Sequence, residues 1–163
     1  VDTVSPTIEE VTVQTEARVP IAAVGGAPIE VSGRVRVLVR AWDRTDANAE
    51  RRRLGVFRLG YEVLDTAGAR VAGDGVERPT IAFDRLPRDS RGGMLAYASG
   101  SRSWFSGPTV FIHPVTNIVR DGEAREEFLD VSALAPGDYT LRVFAEDASG
   151  NRTTKSVPLR KSA

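Results

Sequence analysis

Apolar residues recur at every second position along several short stretches of the chain. In 34–41, Val35, Val37, Val39 and Ala41 fall on one side, and Arg34, Arg36, Leu38 and Arg40 on the other. A period of two marks a strand with one face on a core, so a half-buried strand is predicted there. The same alternation aligns Phe57, Leu59, Tyr61 and Val63 within 57–63, and Tyr139, Leu141, Val143 and Ala145 within 139–145. Shorter candidates are 8–14, 21–24, 80–83, 109–112, 126–131 and 153–159. No segment keeps a helical period over three turns, although 47–54 and 130–135 have room for a single helical turn each.

Turn residues separate these stretches. Asp65-Thr66-Ala67-Gly68 predicts a hairpin between 57–64 and 69–72, and Asp147-Ala148-Ser149-Gly150-Asn151 predicts one joining the last two strands. Pro136-Gly137-Asp138 leads into the strand that carries Tyr139, a position from which a sandwich tyrosine can bond back across the corner or simply face the core. Many short strands with frequent turns predict an all-β fold, an immunoglobulin-like antiparallel β-sandwich forming one domain over residues 1–163. Residues 1–30, with Val19-Pro20-Ile21 and Gly25-Gly26-Ala27-Pro28, read as N-terminal edge strands interrupted by loops. Residues 73–125 form a long insertion, polar and glycine-rich at first, then carrying Met94, Leu95, Tyr97, Trp104, Phe105, Val110, Phe111 and Ile112. A disordered linker is poor in such residues, so the insertion is expected to be ordered, extending one sheet and covering a sheet edge.

Composition narrows the function. Lysine plus arginine and aspartate plus glutamate both number 22, so the formal charge is zero and no basic face for nucleic acid is expected. No apolar run approaches the roughly 20 residues that span a bilayer. There is no cysteine, which excludes disulfides and thiolate metal sites. Beginning at Val1, the chain is expected to be a mature form or a segment of a longer protein.

The single histidine, His113, is too few for a zinc hydrolase, and no Gly-x-Ser-x-Gly elbow accompanies it. Phosphate-binding loops and dinucleotide fingerprints are absent too. No catalytic residue is therefore assigned. Glu9-Glu10 and Glu126-Glu127 are sequence neighbours, which a strand points to opposite faces. One acidic constellation stands out. The first long strand ends at Asp43, with Asp46 and Asn48 behind it, and the penultimate strand ends at Asp147, followed by Asn151. In a sandwich of this topology both ends fall at one pole. Oxygen ligands from Asp43, Asp46, Asn48 and Asp147 could then hold Ca²⁺. The alternatives are turn capping by the same side chains and pairing with Arg44 or Arg51 to Arg53. Apart from calcium, no cofactor is expected. Tyr97, Trp104 and Phe105 of the insertion, with Trp42, are the aromatic candidates for contact with a partner or a sugar.

The layout Asp43, Gly55-Val56-Phe57, Asp65 to Gly68, Gly137 to Tyr139 and Asp147 to Asn151 resembles the immunoglobulin-like β-sandwich module appended to lysostaphin-like (LytM-type) zinc peptidases of bacteria. Those peptidases need an H-x(n)-D and an H-x-H motif, and neither occurs here, so no catalytic residue carries over. The resemblance implies an extracytoplasmic, periplasmic or cell-surface, accessory module. Its partners would be another domain of the parent protein, an envelope protein or cell-wall polymer. A free-standing carbohydrate- or surface-protein-binding module is the alternative, and a carboxylate-based enzyme stands behind both.

Overall fold

The computed structural model describes residues 1–48, 52–103 and 107–163. Among these residues the chain is all-β, with one short helix and one 3-10 turn. The strands are β1 (Thr7–Thr15), β2 (Ile29–Val31), β3 (Arg34–Trp42), β4 (Arg58–Leu64), β5 (Arg70–Gly73), β6 (Ile81–Ala82), β7 (Ile112–Pro114), β8 (Ile118–Arg120), β9 (Glu123–Arg125), β10 (Leu129–Asp130), β11 (Gly137–Glu146) and β12 (Arg152–Lys161). The helix α1 (Gly92–Ala96) lies between β6 and β7.

Two sheets form. In the smaller, β3 is central. β1 pairs along one edge, and β10 and β7 take successive stretches of the other. The larger runs β2-β12-β11-β4-β6-β8-β9, with β5 also on β4. Residues 1–30 thus contribute one edge strand to each sheet. The larger sheet is mixed rather than wholly antiparallel, because β2 pairs β12 and β6 pairs β8 in parallel. Parallel neighbours need a long crossover, which the insertion supplies between β6 and β8.

The alternating residues make the core. Val35, Val37, Val39 and Ala41 of β3 are closed to solvent, as are Leu59 and Val63 of β4, Leu141, Val143 and Ala145 of β11, and Leu159 of β12. Each such valine or leucine contributes about 1.5–3 kcal/mol by leaving water. The insertion does more than extend one sheet. It gives β6, β8 and β9 to the larger and β7 to the smaller, and α1 packs against β7, β8 and β9. Consequently the middle of β3 is covered on both faces: Arg36 and Leu38, expected on an open side, are buried, while Arg34 at its start stays exposed.

Two hairpins use the same chemistry. Asp65 Oδ1 accepts from the backbone N–H groups of Ala67 and Ala69, and Asp147 Oδ1 accepts from those of Ser149 and Asn151. Tyr139 does both things foreseen for it: its hydroxyl donates to the Ala135 carbonyl at 2.7 Å, and its ring packs against the core. Gly60 lies opposite Phe144 in the β4–β11 ladder, and a Cβ there would sit 2.4 Å from the Phe144 ring. The helical turn foreseen over 47–54 is not formed in its described part. Thr45 to Asn48 make a turn closed by Asn48 N–H to the Thr45 carbonyl, and Leu54 bridges back to Asp43. No strand forms over 21–24; Ile21 gives one N–H to the Val13 carbonyl.

Candidate functional site

The ends of β3 and β11 meet: the aspartates that follow them, Asp43 and Asp147, lie side by side. Asp43 follows Trp42 and is fixed by two backbone bonds to Leu54, at 2.8 and 2.7 Å. Asp147 follows Glu146 and opens the β11–β12 hairpin. A third carboxylate joins them. Asp2 comes from the N-terminal segment, and one oxygen from each of Asp2, Asp43 and Asp147 lies within 4.8 Å of the others.

The N-terminal segment is held at this pole by a small network. Asp2 Oδ1 accepts from the N–H groups of Val4 and Asp46, each at 3.2 Å. Thr3 returns the contact, its N–H and hydroxyl both donating to the Asp46 carboxylate. Asn151 Nδ2 donates to the Asp2 carbonyl at 2.9 Å and to Asp147 Oδ2 at 2.7 Å. Thr153 adds a hydroxyl bond to the Pro6 carbonyl.

Charge at this pole is poorly compensated. Asp43 is 6 % exposed and Asp147 3 %, and Asp43 Oδ1 is buried with no hydrogen-bond partner among the described residues. Burial pushes the Asp43 carboxyl up to about 6. A bond from the Arg44 backbone pulls the other way, and the Asp147 and Asp2 charges add to the rise. Among the described residues no ion pair reaches Asp2, Asp43 or Asp147. Arg53 instead pairs with Glu9 at 3.1 Å and lies 4.9 Å above the Trp42 ring. Of the alternatives foreseen for this pole, turn capping does engage Asp147, while arginine pairing is not seen among the described residues. Arg51 lies outside them.

The donor set is all oxygen, which suits a hard cation and not zinc or copper. Two oxygens on opposite sides of a Ca²⁺ ion, each at about 2.4 Å, are themselves about 4.8 Å apart, so the trio has the right span. One oxygen from each of the three carboxylates supplies three of the six to eight that Ca²⁺ takes. Of the four ligands expected from sequence, Asp43 and Asp147 are brought together. Asp46 is exposed and spent on Thr3, and Asn48 Nδ2 turns back to the Thr45 hydroxyl at 2.8 Å. Asp2 was not foreseen; an aspartate ahead of Thr3 and Pro6 carries no pattern that points to a pole two strands away.

The remaining candidates lie elsewhere. Tyr97 is half-buried in a ring cluster with Phe83, Phe111 and His113, at centroid distances of 5.7, 6.2 and 5.0 Å. Trp104 and Phe105 lie outside the described residues. Trp42 is half-buried, its Nε1 donating to Glu9 at 2.9 Å. His113 is closed to solvent, with Nδ1 2.8 Å from the Ala96 carbonyl. That partner needs a donor, so the neutral ring carries its proton on Nδ1, and burial lowers the histidine pKa to about 4. The insertion does present apolar surface: Leu86 and Met94 are exposed, and Leu86 borders an apolar groove walled by Phe83, Pro87 and Tyr97. No protein-family model, curated protein or solved structure matches the chain.

Proposed function

We propose that this chain is a non-catalytic, immunoglobulin-like interaction module of an extracytoplasmic protein, clamped at one pole by Ca²⁺. The observation that carries the reading is the Asp2, Asp43 and Asp147 trio, with a buried Asp43 oxygen that no group among the described residues satisfies. Two nearly buried carboxylates in contact with a third repel one another, and a divalent cation turns that repulsion into ligation. Calcium sites of extracellular modules have Kd about 10⁻⁴–10⁻³ M, the range that goes with the extracytoplasmic setting proposed.

The immunoglobulin-like assignment draws on the shared pole of β3 and β11, the Tyr139 corner bond and the Asp-x-x-Gly hairpins. A docking role for the insertion draws on Leu86 and Met94. The partner would be another domain of the parent protein, an envelope protein or cell-wall polymer. The free-standing sugar-binding reading gains less, since Tyr97 is engaged in the ring cluster and Trp42 is covered by Arg53. Catalysis by the acidic trio is disfavoured because Asp43 and Asp147 are too buried to reach a polymer, and His113 has its one donor committed to Ala96.

Calorimetric titration of the chain with CaCl₂ tests the reading. Saturable binding of one ion near Kd 10⁻⁴–10⁻³ M is expected, lost in Asp43→Asn and in Asp147→Asn. An absence of binding, or binding unaffected by both substitutions, overturns it.

A further inference from the structure

Near the start of β3, at the end of the strand opposite Asp43, a buried arginine lacks a counter-charge. Arg36 is 6 % exposed. Its Nη1 donates to Gln14 Oε1 at 3.3 Å, a neutral acceptor from the directly opposed position of β1. Its Nε is buried and has no hydrogen-bond partner among the described residues. Other arginines of this sheet find acids, Arg34 with Glu16 and Arg40 with Glu10, but no ion pair among the described residues involves Arg36. Glu126, which lines the same cavity, pairs with Arg18 at 3.5 Å. Burial, followed by the nearby Arg18 charge, pulls the Arg36 pKa down, with Glu126 opposing. A buried charge is costly unless paired, and Glu126, the acid that acts on Arg36 through space, is already paired with Arg18, so two guanidinium groups share one carboxylate.

A second negative group has a place to sit. Arg36 lines a cavity of about 210 Å³ between the outer face of the small sheet and the insertion. Gln14, Arg18, Asn117 and Glu126 share its polar side, so Arg18, Arg36 and Glu126 leave it one net positive charge, and Leu38, Met94 and Leu95 form an apolar side. Met94 is exposed at 79 %, so an apolar side chain borders the cavity with no protein covering it. Arg18 takes a positive φ of 67°, rare for a residue with a Cβ. Drug-sized ligands occupy larger pockets, about 300–1,000 Å³, so the ligand is small.

We propose that this cavity binds a small organic carboxylate. Its carboxylate engages the Arg36 guanidinium, whose planar fork matches two oxygens at once, and its short apolar body lies against Leu38, Met94 and Leu95. The site is independent of the acidic pole.

The test uses straight-chain carboxylates from acetate to hexanoate, the alcohols of equal length, and inorganic phosphate, titrated against the chain by NMR. Each series is run with and without calcium. Carboxylates are expected to bind saturably with affinity rising with chain length up to the size of the cavity, the alcohols to bind far more weakly, and calcium to make no difference. Arg36→Gln should weaken butanoate at least about tenfold, as expected for loss of a charge-assisted pair. Met94→Ala, at an exposed position, should flatten the chain-length dependence, with hexanoate and butanoate losing more affinity than acetate. Absence of saturation by about 50 mM, phosphate binding tighter than every carboxylate, or an unchanged affinity in Arg36→Gln overturns the proposal. Should Arg36→Gln fail to fold, an unchanged chain-length dependence in Met94→Ala overturns it instead. A null calcium titration beside carboxylate binding sinks only the acidic pole, and the converse sinks only this site.

Discussion

Replacing Asp43 by Asn removes one charge from the acidic pole and keeps its volume. In the calcium-loaded protein the loss is large. At about 10 mM CaCl₂ and a Kd near 10⁻⁴ M the ion stabilises the fold by about 2.7 kcal/mol. For a domain of this size each kcal/mol moves Tm by about 2–4 °C, so calcium should raise the wild-type Tm by roughly 5–10 °C. Asp43→Asn should lose most of that rise. In EDTA the order reverses, because the substitution removes a buried charge whose Oδ1 has no partner among the described residues and which faces Asp147 and Asp2. The variant should then melt at or above the wild-type temperature at pH 8. Scanning calorimetry of both proteins in both buffers measures all four values. An Asp43→Asn protein that melts well below wild type in EDTA and still gains from calcium would refute the reasoning, since it would make Asp43 a structural hydrogen-bonding residue. The pH dependence carries a sign as well. The Asp43 carboxyl is raised to about 6 in the fold, against about 3.9 unfolded. Between those values the folded chain keeps a proton that the unfolded chain releases. This group's contribution is therefore present at low pH and lost as pH rises through 6.

His113 acts in the opposite direction. Its pKa falls from 6.5 to about 4 on folding, so the unfolded chain binds the extra proton and stability declines on acidification from 6.5 to 4, by on the order of 3 kcal/mol; urea denaturation of Asp43→Asn at pH 7.5 and 4.5, where the Asp43 contribution is gone, should show it. Tyr139→Phe removes the 2.7 Å bond to the Ala135 carbonyl and should cost about 1 kcal/mol, read as a lower urea midpoint at unchanged slope. Gly60→Ala drives a methyl into the Phe144 ring at 2.4 Å and should cost about 1–3 kcal/mol, with a near-ultraviolet circular dichroism change from the displaced ring.

The legible parts of the fold were those written in local pattern. Val35, Val37 and Val39 alternate without interruption, and the two Asp-x-x-Gly turns close hairpins by bonds within five residues. Asp43 and Asp147 could be placed together because both end long strands, and strand direction fixes the pole. What depended on distant pairing was not legible. The parallel pairs β2–β12 and β6–β8 leave no periodic trace. The helix at Gly92–Ala96 is too short to show a period and begins with two glycines, poor helix formers. Covering of the outer face of β3 by the insertion turned Arg36 from an expected surface residue into a buried one. Asp2 joined the site through bonds to Asp46 and Asn151, which no spacing along the chain encodes.

A crystal structure of the chain grown with about 10 mM CaCl₂, with anomalous scattering recorded, tests the central claim most directly. The account predicts an anomalous peak between Asp2, Asp43 and Asp147, with oxygens at about 2.3–2.6 Å and water completing the shell. A water molecule at that position in the presence of calcium, or an arginine side chain folded over Asp43, would contradict it.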